Sequence, residues 1–122
     1  MRALSIRQPW ANAIVYHGKD VENRTWATNY RGPVLIHAGK TWGREEKEAL
    51  AFLEKIIFGK RLGDMQCPRL GGIIGQADIV DCVTNMDSPW FGGPYGFVLA
   101  NVKPRPFRPC RGALGFFTPK FE

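Results

Sequence analysis

The sequence predicts an α+β domain: a small mixed or closed β-sheet with two helices set into the first half of the chain. Three observations lead there. Two stretches, residues 8–18 and 43–58, space their apolar residues as helices do. Short apolar segments surround them and fill most of the second half. Gly, Pro and Asn clusters mark the junctions, with no internal repeat, low-complexity tract or linker. At 122 residues the expectation is one domain, 1–122.

ALSI, Ala3 to Ile6, is short and apolar and makes the first strand. QPWANAIVYHG follows as a helix, with Pro9 at the first helical position, where its missing N–H has no intrahelical partner to lose. Trp10, Ala13, Ile14 and His17 share one face of it, which assigns Trp10 to the core, and Gly18 supplies the left-handed stop. VENRTW is extended, NYRG turns, and PVLIHAG (Pro33 to Gly39) is a buried strand. In the helix over 43–58, charges crowd the first turns while Ala49, Leu50, Phe52, Leu53, Ile56 and Ile57 form an apolar face. GKRLGDMQCPRLGG is a connection punctuated by Gly and Pro. GIIGQADIVDCVT and YGFVLANVKPRPF are β-rich and are separated by the loop NMDSPWFGGP. RGALGFFTPKF closes the chain with a turn and a last strand.

The composition narrows the function classes. With 44% hydrophobic and 12% aromatic residues the chain can build a core, which excludes wholesale disorder. Seventeen Lys and Arg against eleven Asp and Glu leave a net charge of +6, which points to an anionic partner, most commonly nucleic acid. Cys67, Cys82 and Cys110 are odd in number and widely spaced, so neither a disulfide framework nor a zinc site is expected. No apolar run approaches the roughly 20 residues of a membrane helix. Two arginines and a proline interrupt the first nine residues, against a signal peptide. A cytoplasmic protein is expected, with no membrane and no obvious protein partner.

No Gly-rich phosphate loop, G-x-S-x-G elbow or H-E-x-x-H is present, and His17 and His37 lack any matching ligand spacing. No metal or cofactor is expected. The polar groups instead gather where elements meet. Ser5, Arg7 and Gln8 lie between the first strand and the first helix; Lys19, Glu22 and Arg24 follow that helix directly. Glu22 and Arg24 are two apart on an extended segment and share a face, and Lys19 in the turn below reaches Glu22. A lysine held against a carboxylate can give and take a proton, and an arginine can hold an anionic oxygen with two N–H groups. A structural ion-pair network closing the turn uses the same three residues. Around this candidate catalytic cluster, Ser5, Arg7, Gln8, Trp26, His37, Trp90 and Tyr95 are candidate ligand contacts. Rings beside cations suit base stacking, and Trp26, Trp42, Trp90 and Phe91 lie at element ends or in loops. Lys60, Arg61, Arg69, Lys103, Arg105, Arg108 and Arg111 are candidate phosphate contacts.

ALSIRQPWANAIVYHGKDVENRTW, then YRGPVLIHAGK and YGFVLANVKPRPFRPCRGALGFF, together resemble the ASCH domain family of the PUA-like superfamily, from Ala3 to Phe117. SIRQPWA and the K-x-x-E-x-R at Lys19, Glu22 and Arg24 are the most specific parts. His17 stands where the family motif places a glycine. The resemblance implies a small PUA-like β-barrel with helices at its ends and a cleft lined by that motif. It implies binding of RNA or another nucleic acid, by a fold related to domains that read modified bases. In small bacterial members that deacylate N4-acetylcytidine, a lysine and a threonine of the motif act with a separate glutamate. Lys19 matches the lysine, and Glu22 stands in the threonine position. A related group, similar to the vertebrate endothelial lipopolysaccharide-associated factor, keeps a glutamate there and has bacterial relatives linked to the same deacylation.

Three readings follow: a module that binds an RNA base or modified nucleoside; an N4-acylcytidine amidohydrolase acting through Lys19, Glu22 and Arg24; and, last, a metal-assisted ribonuclease drawing on Asp20, Glu22, Asp78 and Asp81.

Overall fold

The computed structural model describes residues 1–121; Glu122 lies outside that description. In chain order the elements are β1 (Ala3–Ile6), α1 (Trp10–Tyr16), β2 (Val21–Arg24), β3 (Gly32–Ala38), α2 (Arg44–Phe52), β4 (Gly72–Val83), β5 (Tyr95–Pro109) and β6 (Phe116–Phe117). A wider, π-type turn over Leu53–Phe58 continues α2. The strands form one six-stranded sheet in the order β2-β5-β4-β3-β1-β6. β1 and β3 run parallel, and every other pairing is antiparallel. Three register shifts between β4 and β5, and one between β3 and β4, bend the sheet into a curled half-barrel. This is the α+β, PUA-like architecture expected from the sequence.

β5 continues as a strand through Pro104, Pro106 and Pro109. It can do so because β2 pairs with it only over Tyr95–Val98, so beyond that point one side of β5 is an edge that needs no N–H donors. Inside the curl, Val34, Ile36, Ala77, Ile79, Phe97 and Leu99 of the sheet pack with Ile6 and with Ile14 and Val15 of α1. The helix sits close because position 75 is glycine: a Cβ there would lie 2.8 Å from both Val15 Cγ2 and the Lys103 carbonyl. A smaller cluster of Ala13, Leu50, Leu62 and Met65 joins α2 and the 59–71 connection to α1. On the outer face, Phe117 and Phe121 cover Ala3, Leu35 and Ile73. Among the described residues no helix is long and apolar enough to cross a membrane.

Two local expectations are revised. The first helix begins at Trp10, with Pro9 just outside it, because the Gln8 side chain closes the first turn by accepting the Asn12 N–H at 3.0 Å. Of the apolar face expected on the 43–58 helix, Leu50 and Leu53 are buried, whereas Phe52 and Ile56 are exposed. That face overhangs a cleft and does not lie on the sheet.

Candidate functional site

Lys19 is fixed by the end of α1. Gly18 takes φ +77°, the chain reverses, and the Lys19 N–H returns to the Ala13 carbonyl at 3.0 Å. Its side chain then runs inward and is 3% exposed. Nζ donates to the Val21 carbonyl at 2.5 Å and to Glu22 Oε1 at 3.2 Å. Glu22 lies on β2, and its second oxygen accepts from Arg24 Nε at 3.1 Å, with Nη2 in ion-pair contact at 3.0 Å. The alternation of β2 places Glu22 and Arg24 on one face, as the spacing required. Arg24 Nη2 also donates to the Ser5 carbonyl at 2.9 Å. One buried carboxylate is thus held between two cations, leaving the trio with a net charge of +1.

Above this floor lies a cleft of about 610 Å³. Trp10 of α1, Trp26 beyond β2, and Trp90 and Phe91 of the β4–β5 loop form its walls, and Phe52, Leu53 and Ile57 form its overhang. Trp26 packs edge-on against Phe97 and Phe116, with ring centroids 5.1 and 5.6 Å away. Asn23 clamps the β4–β5 loop: its amide donates to the Trp90 carbonyl at 3.0 Å, and its oxygen accepts the N–H groups of Gly92 and Gly93 at 2.9 and 3.1 Å. Ser88 of the same loop donates to Asp20 at 2.7 Å. Arg7 stands on the rim, paired with Glu45 at 2.9 Å and with Glu46. The Glu45 and Glu46 carboxylates raise the Arg7 pKa further. The Arg7 guanidinium, followed by the Gly43 N–H, holds the Glu46 carboxyl below the usual glutamate range.

The structure therefore brings Lys19, Glu22, Arg24, Ser5, Arg7, Trp26 and Trp90 to one cleft. Trp10, expected in the core, packs against the core and lines the cleft as well. A core-facing ring and a cleft-facing ring on a short helix give the same apolar spacing. Gln8 is not brought there: it is fully buried, and its amide is taken up by Asn12 and by the Arg69 carbonyl. His37 is buried below a different cleft, with Nδ1 2.9 Å from the Ser5 hydroxyl and Nε2 2.9 Å from the Cys110 carbonyl. Facing a carbonyl, Nε2 carries hydrogen, so a neutral ring accepts from Ser5 at Nδ1. Tyr95 lies opposite Arg24 in the β2–β5 register and is not part of the cleft lining.

The candidate phosphate contacts divide among three places. Lys60 and Arg61 follow the end of the long helix, around Glu54. Arg69, stacked 5.0 Å from the Phe107 ring, belongs with Lys103 and Arg105 near the outer half of β5. Arg108 and Arg111 line the cleft over His37. Asp20, Glu22, Asp78 and Asp81 engage separate partners, namely Ser88, Lys19 with Arg24, Asn101, and Arg31. Among the described residues no three His, Cys, Asp or Glu side chains gather as a metal site. Sequence reasoning missed Asn23, whose role depends on a loop about seventy residues away. It also missed the cleft-facing side of α2.

Comparison with known proteins agrees with this architecture. Residues 4–92 match the family model described as ASCH domain. Activating signal cointegrator 1 of Mus musculus is 35% identical over 85 residues, and its Homo sapiens counterpart is 34% identical over 85 residues. Each alignment covers 66% of this chain but 14% of the relative, so the chain spans a small part of either protein's length. With most of its length matched, and with the K-x-x-E-x-R residues inside the match, the chain belongs to the ASCH domain family.

Proposed function

We propose that the cleft over Lys19, Glu22 and Arg24 binds a nucleobase of RNA. The observation that carries this reading is the convergence, in about 610 Å³, of a hydrogen-bonding floor with the rings of Trp10, Trp26 and Trp90. A base needs both: planar surfaces to stack on, worth ~1–3 kcal/mol per base, and polar groups to read its edge. Glu22 offers carboxylate lone pairs beyond those its two cations occupy, and these accept from an exocyclic amine. Arg24 places Nε and Nη2 on Glu22 and Ser5, so Nη1 is the donor left for a ring nitrogen or carbonyl. The charges of the floor are paired with one another, which suits an uncharged heterocycle. The test is tryptophan fluorescence during titration with each of the four nucleosides. Saturable quenching by at least one supports the reading, and none with any of them refutes it.

A second reading is deacylation of an N4-acylated cytidine, favoured by the placement of Lys19 Nζ. It lies 5.9 Å from the Trp10 ring centroid and makes two hydrogen bonds with its three N–H groups. The third N–H serves a carbonyl or water in the cleft. Release of cytidine from N4-acetylcytidine, lost in Lys19→Ala, would establish it; release that persists in that variant would remove Lys19 from the reaction.

A further inference from the structure

A second cleft, on the outer face of the sheet, has a volume of about 1270 Å³. Its lining includes Lys40, Arg108, Arg111 and Lys120 but no carboxylate among the described residues. These cations come from the turn after β3, the end of β5, the loop that follows and the C-terminal segment, and all four are exposed. Lys40, Arg108 and Arg111 form no ion pair among the described residues. In the first cleft, by contrast, Glu22 answers Lys19 and Arg24, while Glu45 and Glu46 answer Arg7. The two clefts also differ in their rings. Phe117 and Phe121 of the second pack on Ala3, Leu35 and Ile73, and the Arg108 guanidinium lies 3.5 Å over the Phe121 ring. Among the described residues it therefore offers no counterpart to the rings of Trp10, Trp26 and Trp90 on which a base can stack.

The rim carries an aliphatic group instead. Leu114 follows Ala113 of the lining and is 99% exposed. The loop that bears it is fixed at both ends. At its start, the Cys110 N–H donates to the Gly71 carbonyl at 3.1 Å, and the Cys110 carbonyl accepts from His37 Nε2 at 2.9 Å. At its end, Phe116 and Phe117 pair with β1. Leu114 is thus held outward beside cations that lack counter-charges, an arrangement that matches a polypeptide carrying acidic side chains around an apolar one. We infer that the second cleft docks an acidic segment of a partner protein, with its carboxylates on Lys40, Arg108 and Arg111 and an apolar side chain on Leu114. A single phosphate or carboxylate would fill little of the volume and leave Leu114 untouched. This docking site is separate from the nucleobase cleft and does not depend on it.

The test follows fluorescence anisotropy of a labelled synthetic peptide, rich in aspartate and glutamate around a single leucine. It compares wild type with Lys40→Ala/Arg111→Ala and with Leu114→Ser. All three positions are exposed, and retained thermal melting checks that each variant is folded. Wild type is expected to bind saturably, and more weakly as salt rises. The double variant is expected to bind about tenfold more weakly, and Leu114→Ser about fivefold. Replacing the leucine of the peptide by serine should weaken wild type by a similar factor and leave Leu114→Ser unchanged, as for two groups in contact. No saturable binding by wild type, or wild-type affinity in the double variant, overturns the docking site. Full displacement of the peptide by an equal concentration of an RNA hexamer also overturns it, since the cleft would then prefer phosphate. Equal losses from the peptide substitution in wild type and in Leu114→Ser overturn the leucine contact.

Discussion

Arg24 Nη2 donates to the carbonyl of Ser5 at 2.9 Å, although three strands separate β2 from β1 in the sheet. The carbonyls of Arg2, just before β1, and of Ile6, at its end, accept from Leu35 and Gly39 on the β3 side, so alternation turns the Ser5 carbonyl to the other edge. β6 pairs only with Ala3 and Leu4 and leaves that edge open at Ser5. A guanidinium fills the gap. The contact that closes the curl also fixes the floor of the cleft.

Arg24→Ala is accordingly expected to lower stability by about 1–3 kcal/mol, because it strands the Ser5 carbonyl and removes half the pairing of Glu22. Arg24→Lys recovers only part, since one ammonium cannot reproduce the forked contact to Glu22 and Ser5. Urea unfolding of the three proteins checks the order wild type, lysine, alanine. Equal midpoints would contradict the closing role.

Glu22→Ala leaves Lys19 buried without its counter-charge and is expected to cost about 3–5 kcal/mol, among the largest single losses in the chain. Lys19→Met/Glu22→Leu, which removes both charges, is expected to recover most of that. A double-mutant cycle by chemical denaturation reads the coupling. A loss below about 0.5 kcal/mol in Glu22→Ala would mean that Lys19 finds water in the folded state.

Asn23→Ala removes three hydrogen bonds to the β4–β5 loop while leaving the core untouched. Faster amide exchange is expected at Gly92 and Gly93, with little change in the unfolding midpoint and several-fold weaker nucleobase binding. Exchange rates at those two glycines equal to wild type would contradict the clamp.

Glu46 gives stability a pH dependence of defined sign. Its carboxyl is held below the usual range by Arg7 and then by the Gly43 N–H, so the folded chain binds that proton less readily than the unfolded one. The contribution is complete above the ordinary glutamate range and fades as pH falls through that range toward the folded value. Melting temperatures of wild type and Glu46→Gln should differ at neutral pH and converge on acidification below the ordinary glutamate range. A gap independent of pH would contradict the assignment.

Much of this was legible from residue order. The period of two puts Glu22 and Arg24 on one face, Gly18 announces the reversal that aims Lys19, and the apolar runs mark β3, β4 and the first half of β5. Other features depend on partners remote in sequence. Gln8 reads as a ligand contact in sequence because nothing nearby shows that the Arg69 carbonyl, sixty-one residues away, engages its amide. Lys40 and Lys120 come together only through the path of the C-terminal segment. The exposure of Phe52 follows from the cleft beneath α2, and helical spacing is blind to whether an apolar face meets a sheet or an opening.

The most direct test uses the four tryptophans: Trp10, Trp26 and Trp90 line the first cleft, whereas Trp42, packed like Trp90 on the small cluster around Leu50, is not part of that lining. In a two-dimensional NMR titration with nucleosides, the indole N–H signals of Trp10, Trp26 and Trp90 are expected to shift together. Trp42 should stay in place, and Glu22→Gln should weaken the response about tenfold, the equivalent of one charge-assisted hydrogen bond. Nucleosides that leave all three cleft signals unmoved, or that shift Trp42 alone, would contradict the claim that this cleft holds a base.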